Sequence, residues 1–204
     1  MNRIKALAIA LFAILTVCTA QAQSLVKQDA TMNEYLKLLQ HAYANHHVLV
    51  FDISSMETNK YGFTPVIMKY EDGKTENVLQ NLEDEGFIFT NDVSRFTVGL
   101  SPINDTTFQC HIYWGDKSIS HLLPYKKVHG KDPFISPRPF VLPKKLKLNE
   151  FIPLMAASSG YYVESIDMVK SCDHFEFKQK NYLKTITFQR SPQIYVIGVK
   201  CKEL

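Results

Sequence analysis

The sequence predicts an α+β protein made predominantly of antiparallel β-sheet, with an N-terminal helix and a few short helices. A capping-box pattern precedes residues with helical spacing near the N-terminus. Short β-branched and aromatic segments, separated by turn residues, then follow one another from residue 87 to residue 123. The composition agrees with a globular domain, because 46% of the residues are hydrophobic and 21% are charged.

The first 22 residues have the pattern of an export signal. Arg3 and Lys5 precede the apolar run 6–17, and residues 20–22 (Ala-Gln-Ala) form the small-x-small pattern that a signal peptidase cleaves. The run is shorter than the about 20 apolar residues that a membrane span needs, and no later segment is apolar enough to span. We therefore expect a mature, exported chain over 23–204, in the periplasm or outside the cell, with no transmembrane span.

A lipoprotein is the alternative form of export. Leu15-Thr16-Val17 before Cys18 resembles a bacterial lipobox, although that motif has a small residue where Val17 stands. Cleavage after residue 22 would instead remove Cys18 and two of the 23 basic residues, against 20 acidic ones. The mature chain is then nearly neutral, which is not typical of a protein that binds nucleic acid.

The chain before residue 87 is expected to alternate between helix and strand. Thr31 and Glu34 form the capping box, Asp72-Gly73 is a turn dipeptide, and Gly86 occupies the position where a helix ends. The expected elements are a helix over 32–45, strands over 48–53 and 64–70, and a short helix over 75–85.

The central part of the chain is predicted to consist of strands. They cover about 87–90, 95–101, 107–114 and 117–123, with turns at 102–105 and 115–116. If Gly115-Asp116 is a two-residue turn, Cys110 lies directly opposite His121 on the apolar face of the last hairpin.

Residues 124–147 are expected to form a long connection, because five of the nine prolines lie there. A short helix over 150–158 should follow, with Asn149 as its cap and Gly160 as its end. The remaining chain is predicted to be an antiparallel meander. Its strands cover 161–169, 173–179, 182–189 and 193–202. We expect a single domain over 23–204, with two halves joined by the 124–147 connection as the alternative.

Common catalytic and cofactor motifs are absent from the sequence. It contains no glycine-rich dinucleotide fingerprint, no G-x-S-x-G elbow, no H-E-x-x-H and no C-x-x-C. Gly73-Lys74-Thr75 resembles the end of a phosphate-binding loop, but Met68 stands where that loop needs a glycine. We therefore expect no cofactor. Whether the protein is an enzyme stays open, because most catalytic groups come together only in the folded chain.

Cys110 and His121 are the candidate catalytic residues. An imidazole facing a thiol across two strands could take up its proton and leave a thiolate nucleophile. The alternative is a buried cysteine beside a hydrogen-bonded histidine of the core, since cysteine is among the most buried residue types.

No metal site is expected. His41, His46 and His47 are close in sequence, but their spacing does not place them on one helical face. A metal would need the chain to leave the helix and a further ligand such as Asp173 or His174.

The connection 124–147 contains the candidate ligand-binding residues. Between residues 117 and 147 eight lysine or arginine residues stand against one acid, Asp132, and aromatic residues are interleaved. Residues 71–92 hold seven acids against one lysine, so the two stretches could also pair with each other. The candidates are Lys126, Lys127, Lys131, Phe134, Arg138, Phe140, Lys144 and Lys145.

Basic and aromatic side chains together suit an anionic glycan, an anionic surface or an acidic protein partner. The other interpretation is structural: the aromatic residues fix the connection to the sheet while the lysines stay in water. We expect an exported, non-enzymatic binding or interaction protein, with an exported hydrolase that uses Cys110 and His121 as the alternative.

Overall fold

The computed structural model describes residues 47–171 and 177–204, together with the backbone of residues 26–28. This part of the chain is mostly antiparallel β-sheet with a few short helices, which confirms the β-rich class. The helices are α1 (Gln80–Asp84) and α2 (Ile186–Arg190), and 3-10 turns cover Glu164–Ile166 and Tyr182–Lys184. The helix predicted over 32–45 lies outside the described residues.

Fourteen strands are described. In chain order they are β1 (Val26–Gln28), β2 (His47–Asp52), β3 (Tyr61–Glu71), β4 (Lys74–Asn77), β5 (Phe89–Thr90), β6 (Arg95–Asn104), β7 (Thr107–Trp114), β8 (Lys117–Pro124), β9 (Ser136–Val141), β10 (Phe151–Ser158), β11 (Tyr161–Val163), β12 (Met168–Lys170), β13 (Phe177–Lys178) and β14 (Gln193–Glu203). One sheet has five strands in the order β1-β2-β6-β7-β8. The other has the order β13-β9-β10-β14-β3-β4, with β5 beside β3, and β11 pairs with β12 as a separate hairpin.

The two large sheets pack face to face over one apolar core. Trp114 of the five-stranded sheet stacks on Phe89 and contacts Phe63 of the other sheet, with ring centroids 5.3 and 4.9 Å apart. Its indole N–H donates to the carbonyl of Thr90 at 2.7 Å, so burial leaves no donor of this side chain unpaired. A second, smaller cluster around Phe140 and Val196 lies on the opposite face of the seven-stranded sheet.

The turns predicted at Asp72-Gly73 and Gly115-Asp116 are confirmed, although a strand and not the expected helix follows the first of them. The Asp72-Gly73 turn joins β3 and β4, and both residues have positive φ angles, 49° and 74°. The Gly115-Asp116 turn joins β7 and β8 in the predicted register. The turn predicted over 102–105 is shorter than expected, because β6 continues to Asn104 through a bulge.

The helix predicted over 150–158 is wrong, since these residues form strand β10 between β9 and β14. Almost every residue of β10 is buried. A short, uniformly apolar run fits a helix and a fully buried strand equally well, because its hydrophobic residues show neither the helical period of 3.6 nor the alternation of a half-buried strand. The pairing partners on both sides decide between the two structures.

The prediction for 124–147 is wrong in part, because it contains strand β9 with Pro137 and Pro139. Successive N–H groups of a strand point to opposite edges, so two prolines at alternate positions remove donors from one edge only. The other edge keeps the N–H groups of Ser136 and Arg138 and pairs with β10. Beyond the prolines, Phe140 pairs with β13.

The last strand of the predicted meander is confirmed as β14. Of the strand predicted over 173–179, residues 177 and 178 form β13 and residue 179 lies beyond it, while residues 173–176 lie outside the described part of the chain. Residues 182–189, predicted as a strand, form a 3-10 turn and helix α2. Residues 161–169 form a short hairpin around a 3-10 turn, and the 75–85 helix is limited to α1 because β4 precedes it. Among the described residues, no helix has the length and the apolar composition that crossing a membrane requires.

Candidate functional site

The start of the connection 124–147 is anchored to the seven-stranded sheet. The hydroxyl of buried Tyr125 donates to the carbonyl of Ala157 at 2.9 Å. Gln193 of β14 accepts from the backbone N–H of Lys126 and donates to the carbonyl of Pro124, each at 2.9 Å. These bonds hold the chain where it leaves β8, and the basic segment that follows starts from a fixed point.

A tight turn at His129-Gly130 follows this anchor. Both residues have positive φ angles, 52° and 77°, and Val128 and Lys131 exchange two backbone hydrogen bonds of 2.8 and 3.1 Å. Such a turn projects its two central residues away from the hairpin. His129 is therefore exposed next to the β11–β12 hairpin.

The His129 ring stacks on Tyr162 of β11, with centroids 4.4 Å apart and planes 19° from parallel. The Tyr162 hydroxyl donates to Asp167 at 2.7 Å, and the Lys131 ammonium lies 2.7 Å from the same carboxylate oxygen. The hydrogen bonds from Lys131 and Tyr162 lower the pKa of Asp167. Lys131 and Asp167 thus brace the tyrosine on which the imidazole rests.

Arg190, at the end of α2, provides a cation on the same side of the molecule. Its guanidinium lies over the Tyr161 ring, 4.7 Å from the centroid, and one of its nitrogens donates to the carbonyl of Tyr162 at 3.3 Å. A planar guanidinium has five N–H donors. These two contacts orient the group and leave donors for a ligand.

These residues line an open cleft of about 310 Å³, which we call the His129 cleft. Its lining residues are Lys127, Val128, His129, Tyr162, Arg190 and Pro192. The lining contains two full positive charges and no carboxylate. Lys127 forms an ion pair with Asp132, 3.4 Å from its ammonium, which water screens because both side chains are more than half exposed. Arg190 has no carboxylate partner among the described residues. The electrostatics therefore favour an anion.

A second cleft, the Phe151 cleft, lies where β10 begins and has a volume of about 260 Å³. Apolar surface is provided by Pro143, Phe151, Ile152, Pro153 and Tyr182, and polar groups by Lys145, Lys147, Glu150, Gln179 and Lys180. The two clefts share no lining residue.

The predicted ligand-binding residues do not form one site. Lys127 lines the His129 cleft and Lys131 braces it, whereas Lys145 lines the Phe151 cleft. Lys126 lies 2.7 Å from Glu71 in an ion pair, so part of the basic stretch pairs with the acidic stretch 71–92. Lys144 is exposed and lines neither of these clefts.

Three further candidates lie apart from both clefts. Phe140 is 2% exposed within the second apolar cluster, and this burial contradicts a role in contacting a surface ligand. Arg138 is half-buried on β9, and its Nε atom is buried without a hydrogen-bond partner. Phe134 is 57% exposed and is fixed by a backbone hydrogen bond from its N–H to the carbonyl of Ser159.

Tyr162 and Arg190 were not singled out from the sequence. Tyr162 belongs to an aromatic pair that follows a glycine, and Arg190 directly follows the strand predicted over 182–189. Neither pattern differs from that of a structural residue. One signal was available at His129-Gly130, a dipeptide in which glycine tolerates the positive φ of a tight turn.

The hairpin register places Cys110 opposite His121, but the thiol is 1% exposed in the core. Burial raises the pKa of Cys110 to about 12 and lowers the pKa of His121. Both shifts favour neutral groups. The arrangement therefore opposes a thiolate at neutral pH, while the proposed pair remains a hypothesis.

The described residues include no group of three or more His, Cys, Asp or Glu side chains that could hold a metal ion. Of the histidines weighed as ligands, only His47 is described, at the start of β2. His41, His46 and His174 lie outside the described residues, as does Asp173. Gly73-Lys74-Thr75 forms the turn and start of β4, with no helix following to receive a phosphate.

A family model matches residues 14–203, which is nearly the whole chain. Its description is "Domain of unknown function (DUF5041)". The chain belongs to this family. No curated protein and no solved structure gives a significant match. Membership of the DUF5041 family therefore leaves the function to be argued from the clefts.

Proposed function

We propose that this DUF5041 protein is exported and acts as a non-enzymatic binding protein, with the His129 cleft as its site for an acidic saccharide. The observation that supports the proposal is the lining of the cleft. An imidazole stacked on a phenol ring lies beside two cations, and no carboxylate lines the cleft. The negative charges of an anionic ligand therefore meet no repulsion from a carboxylate of the lining.

The two parts of the cleft suit the two parts of such a ligand. The guanidinium of Arg190 matches the planar geometry of a carboxylate and also suits a sulfate, each of which accepts two parallel hydrogen bonds. Aromatic and imidazole rings provide apolar surface for the carbon face of a sugar ring, while their polar atoms stay in contact with water. Because the cleft is open, we expect an affinity that falls as salt screens the charges.

Binding of defined oligosaccharides tests the proposal. The mature chain is titrated calorimetrically with a chondroitin sulfate tetrasaccharide, its desulfated counterpart and a neutral chitin tetrasaccharide, at low and at physiological salt. We expect the two acidic sugars to bind, the sulfated one more tightly, and the neutral one to bind about tenfold more weakly or not at all. Equal binding of all three sugars, or no binding of any, would contradict the proposal.

Matched variants locate the site. Arg190→Gln removes the oriented cation and should weaken binding of the sulfated sugar by about tenfold. Lys117→Gln removes one positive charge at the exposed β7–β8 turn and should leave the affinity within about twofold. If both variants lose the same affinity, binding follows net charge and the His129 cleft is not the site. Thermal melting curves verify that both variants remain folded.

The export part of the proposal has its own test. The full chain is expressed in a bacterium with its own leader, and the mass of the product is measured. We expect a mature chain that begins at Gln23, recovered from the periplasm or the medium. A product that begins at a lipid-modified Cys18 would establish the lipoprotein alternative, and an uncleaved cytoplasmic product would refute export.

A further inference from the structure

The Phe151 cleft combines a preformed apolar surface with positive charge. Phe151 lies over Gly198 of β14, where a Cβ atom would clash with its ring and with the carbonyl of Ile152. The side-chain amide of Gln179 donates to the carbonyl of Pro153 at 2.8 Å. These contacts hold the ring and the two walls of the cleft in place without a ligand.

Two lysines of this cleft lack a carboxylate partner. Lys147 is neutralised by Glu150, whose two carboxylate oxygens lie 3.1 and 3.0 Å from its ammonium. Within the described part of the chain, neither Lys145 nor Lys180 has an ion pair. The lining therefore has a net positive charge beside an apolar surface.

The Phe151 cleft is separate from the His129 cleft. Phe151 begins strand β10, whereas Tyr162 of the His129 cleft follows the end of that strand. Eight residues of extended chain span about 26 Å. A small ligand therefore cannot occupy both sites.

We propose that the Phe151 cleft binds a small amphipathic anion, an aromatic or alicyclic ring that carries a carboxylate or a sulfonate. Phe151, Pro143 and Tyr182 contact the ring, and Lys145 and Lys180 receive the charged group. An inorganic anion has no ring for the apolar surface, and a neutral ring leaves the two ammonium groups without a partner. The volume of about 260 Å³ suits one or two fused rings.

Three probes separate these contributions. The wild-type mature chain is titrated, with detection by NMR shifts and calorimetry, with 2-naphthalenesulfonate, with 2-naphthol and with sulfate. We expect saturable binding of the naphthalenesulfonate and about tenfold weaker binding of both other probes. Absence of saturable naphthalenesulfonate binding, or equal affinity for 2-naphthol, would overturn the proposal.

Charge-matched double variants place the binding site. Lys145→Gln/Lys180→Gln should weaken naphthalenesulfonate binding by about tenfold, whereas Lys144→Gln/Lys178→Gln, which loses the same charge at exposed neighbouring positions, should change it less than about twofold. Equal losses in the two variants would refute the site. Arg190→Gln should leave this binding unchanged, so failure here and failure of the His129 cleft are distinguishable.

Discussion

Cys110 illustrates how burial determines the chemistry of a single residue. Its partner across the hairpin, His121, is a group that could accept a proton. The thiol, however, faces the core beside Tyr125, whose pKa burial also raises. A low-dielectric environment penalises the charged form of both the thiol and the imidazole. Proximity in register is therefore insufficient for a nucleophile.

We expect Cys110 to resist alkylation in the folded protein. With a pKa of about 12, only a very small fraction of the thiol is ionised at pH 7, and its burial excludes the reagent. Iodoacetamide labelling followed by peptide mass spectrometry should detect modification of Cys110 in urea but not in buffer. Rapid labelling in buffer that His121→Ala slows about tenfold would instead support the hydrolase hypothesis.

Ion pairing determines which lysines are available to a ligand. Lys126, Lys131 and Lys147 pair with Glu71, Asp167 and Glu150, at distances between 2.7 and 3.0 Å. Where both side chains are exposed, such a pair contributes little to stability, but each of the three pairs cancels charge that an anion would otherwise meet. Lysine content along the chain therefore overstates the basic surface.

At the level of elements, strand β10 depends on a glycine in its neighbour. Gly198 of β14 pairs with Pro153, next to the bulge in β10. The absence of a side chain at this position lets the carbonyl of Ile152 and the ring of Phe151 approach β14 closely. The apolar surface of the Phe151 cleft depends on this approach.

Gly198→Ala should destabilise the protein by about 1–3 kcal/mol, because the new methyl group cannot be accommodated without moving β10. Urea unfolding measures the change. Gly73→Ala is the control: nothing lies within 4 Å of a Cβ atom there, so its cost is the backbone strain of a positive φ, about 1 kcal/mol. A Gly198→Ala protein as stable as the wild type would contradict this close contact.

The 124–147 connection has both a structural part, fixed to the sheets, and exposed residues that are available to a ligand. Tyr125, Phe140 and the pairing of β9 fix it to the sheets, as the structural interpretation requires. The turn at His129, before β9, and the residues Lys144 and Lys145, after it, remain exposed. An element that is fixed at intervals can present side chains in a defined geometry, which is what a binding site needs.

Across the whole molecule, the acidic stretch 71–92 and the basic stretch 117–147 meet at Glu71. Lys126 and Lys69 lie 2.7 and 2.6 Å from its carboxylate, and their hydrogen bonds lower its pKa. This contact joins the end of β3 to the start of the connection. The internal pairing that the two charge runs allow is therefore present at this point.

Glu71→Gln should make stability less dependent on pH. A carboxyl whose pKa is lowered on folding stabilises the protein above its unfolded value, about 4.3, and this contribution is lost as the pH falls through the folded value. The variant should be less stable than the wild type at pH 7, by about 1 kcal/mol or less because its partners are partly exposed. The difference should shrink as the pH falls from about 4.3 and should vanish below the lowered pKa of Glu71 in the folded protein.

Urea unfolding at a series of pH values measures this effect. Glu76→Gln is the matched control, since Glu76 is 64% exposed and lies 3.9 Å from Lys69. It should show almost no pH-dependent difference from the wild type. A constant deficit for Glu71→Gln at all pH values would mean that the variant loses packing rather than charge.

The sequence by itself determined the features that depend on neighbours along the chain. The β7–β8 register follows from the two-residue turn Gly115-Asp116, because a tight turn fixes which residues face each other. Asp72-Gly73 likewise marks the turn after β3, but the sequence predicted a helix where strand β4 follows. It also located the basic residues Lys127, Lys131 and Lys145. The sequence does not show which of these lysines forms an ion pair and which lines a cleft, since the residues they contact are distant in sequence.

Only the tertiary structure decided the outcome where local preference is weak or the partners are remote. Residues 151–158 are a strand because β9 and β14 pair with them on either side, which their uniformly apolar sequence does not specify. Tyr162 and Arg190 line the His129 cleft because the β11–β12 hairpin and α2 place them there. The physical reason is the same in these cases. Strand pairing and ion pairing depend on the distance between residues in space, whereas the sequence shows only their separation along the chain.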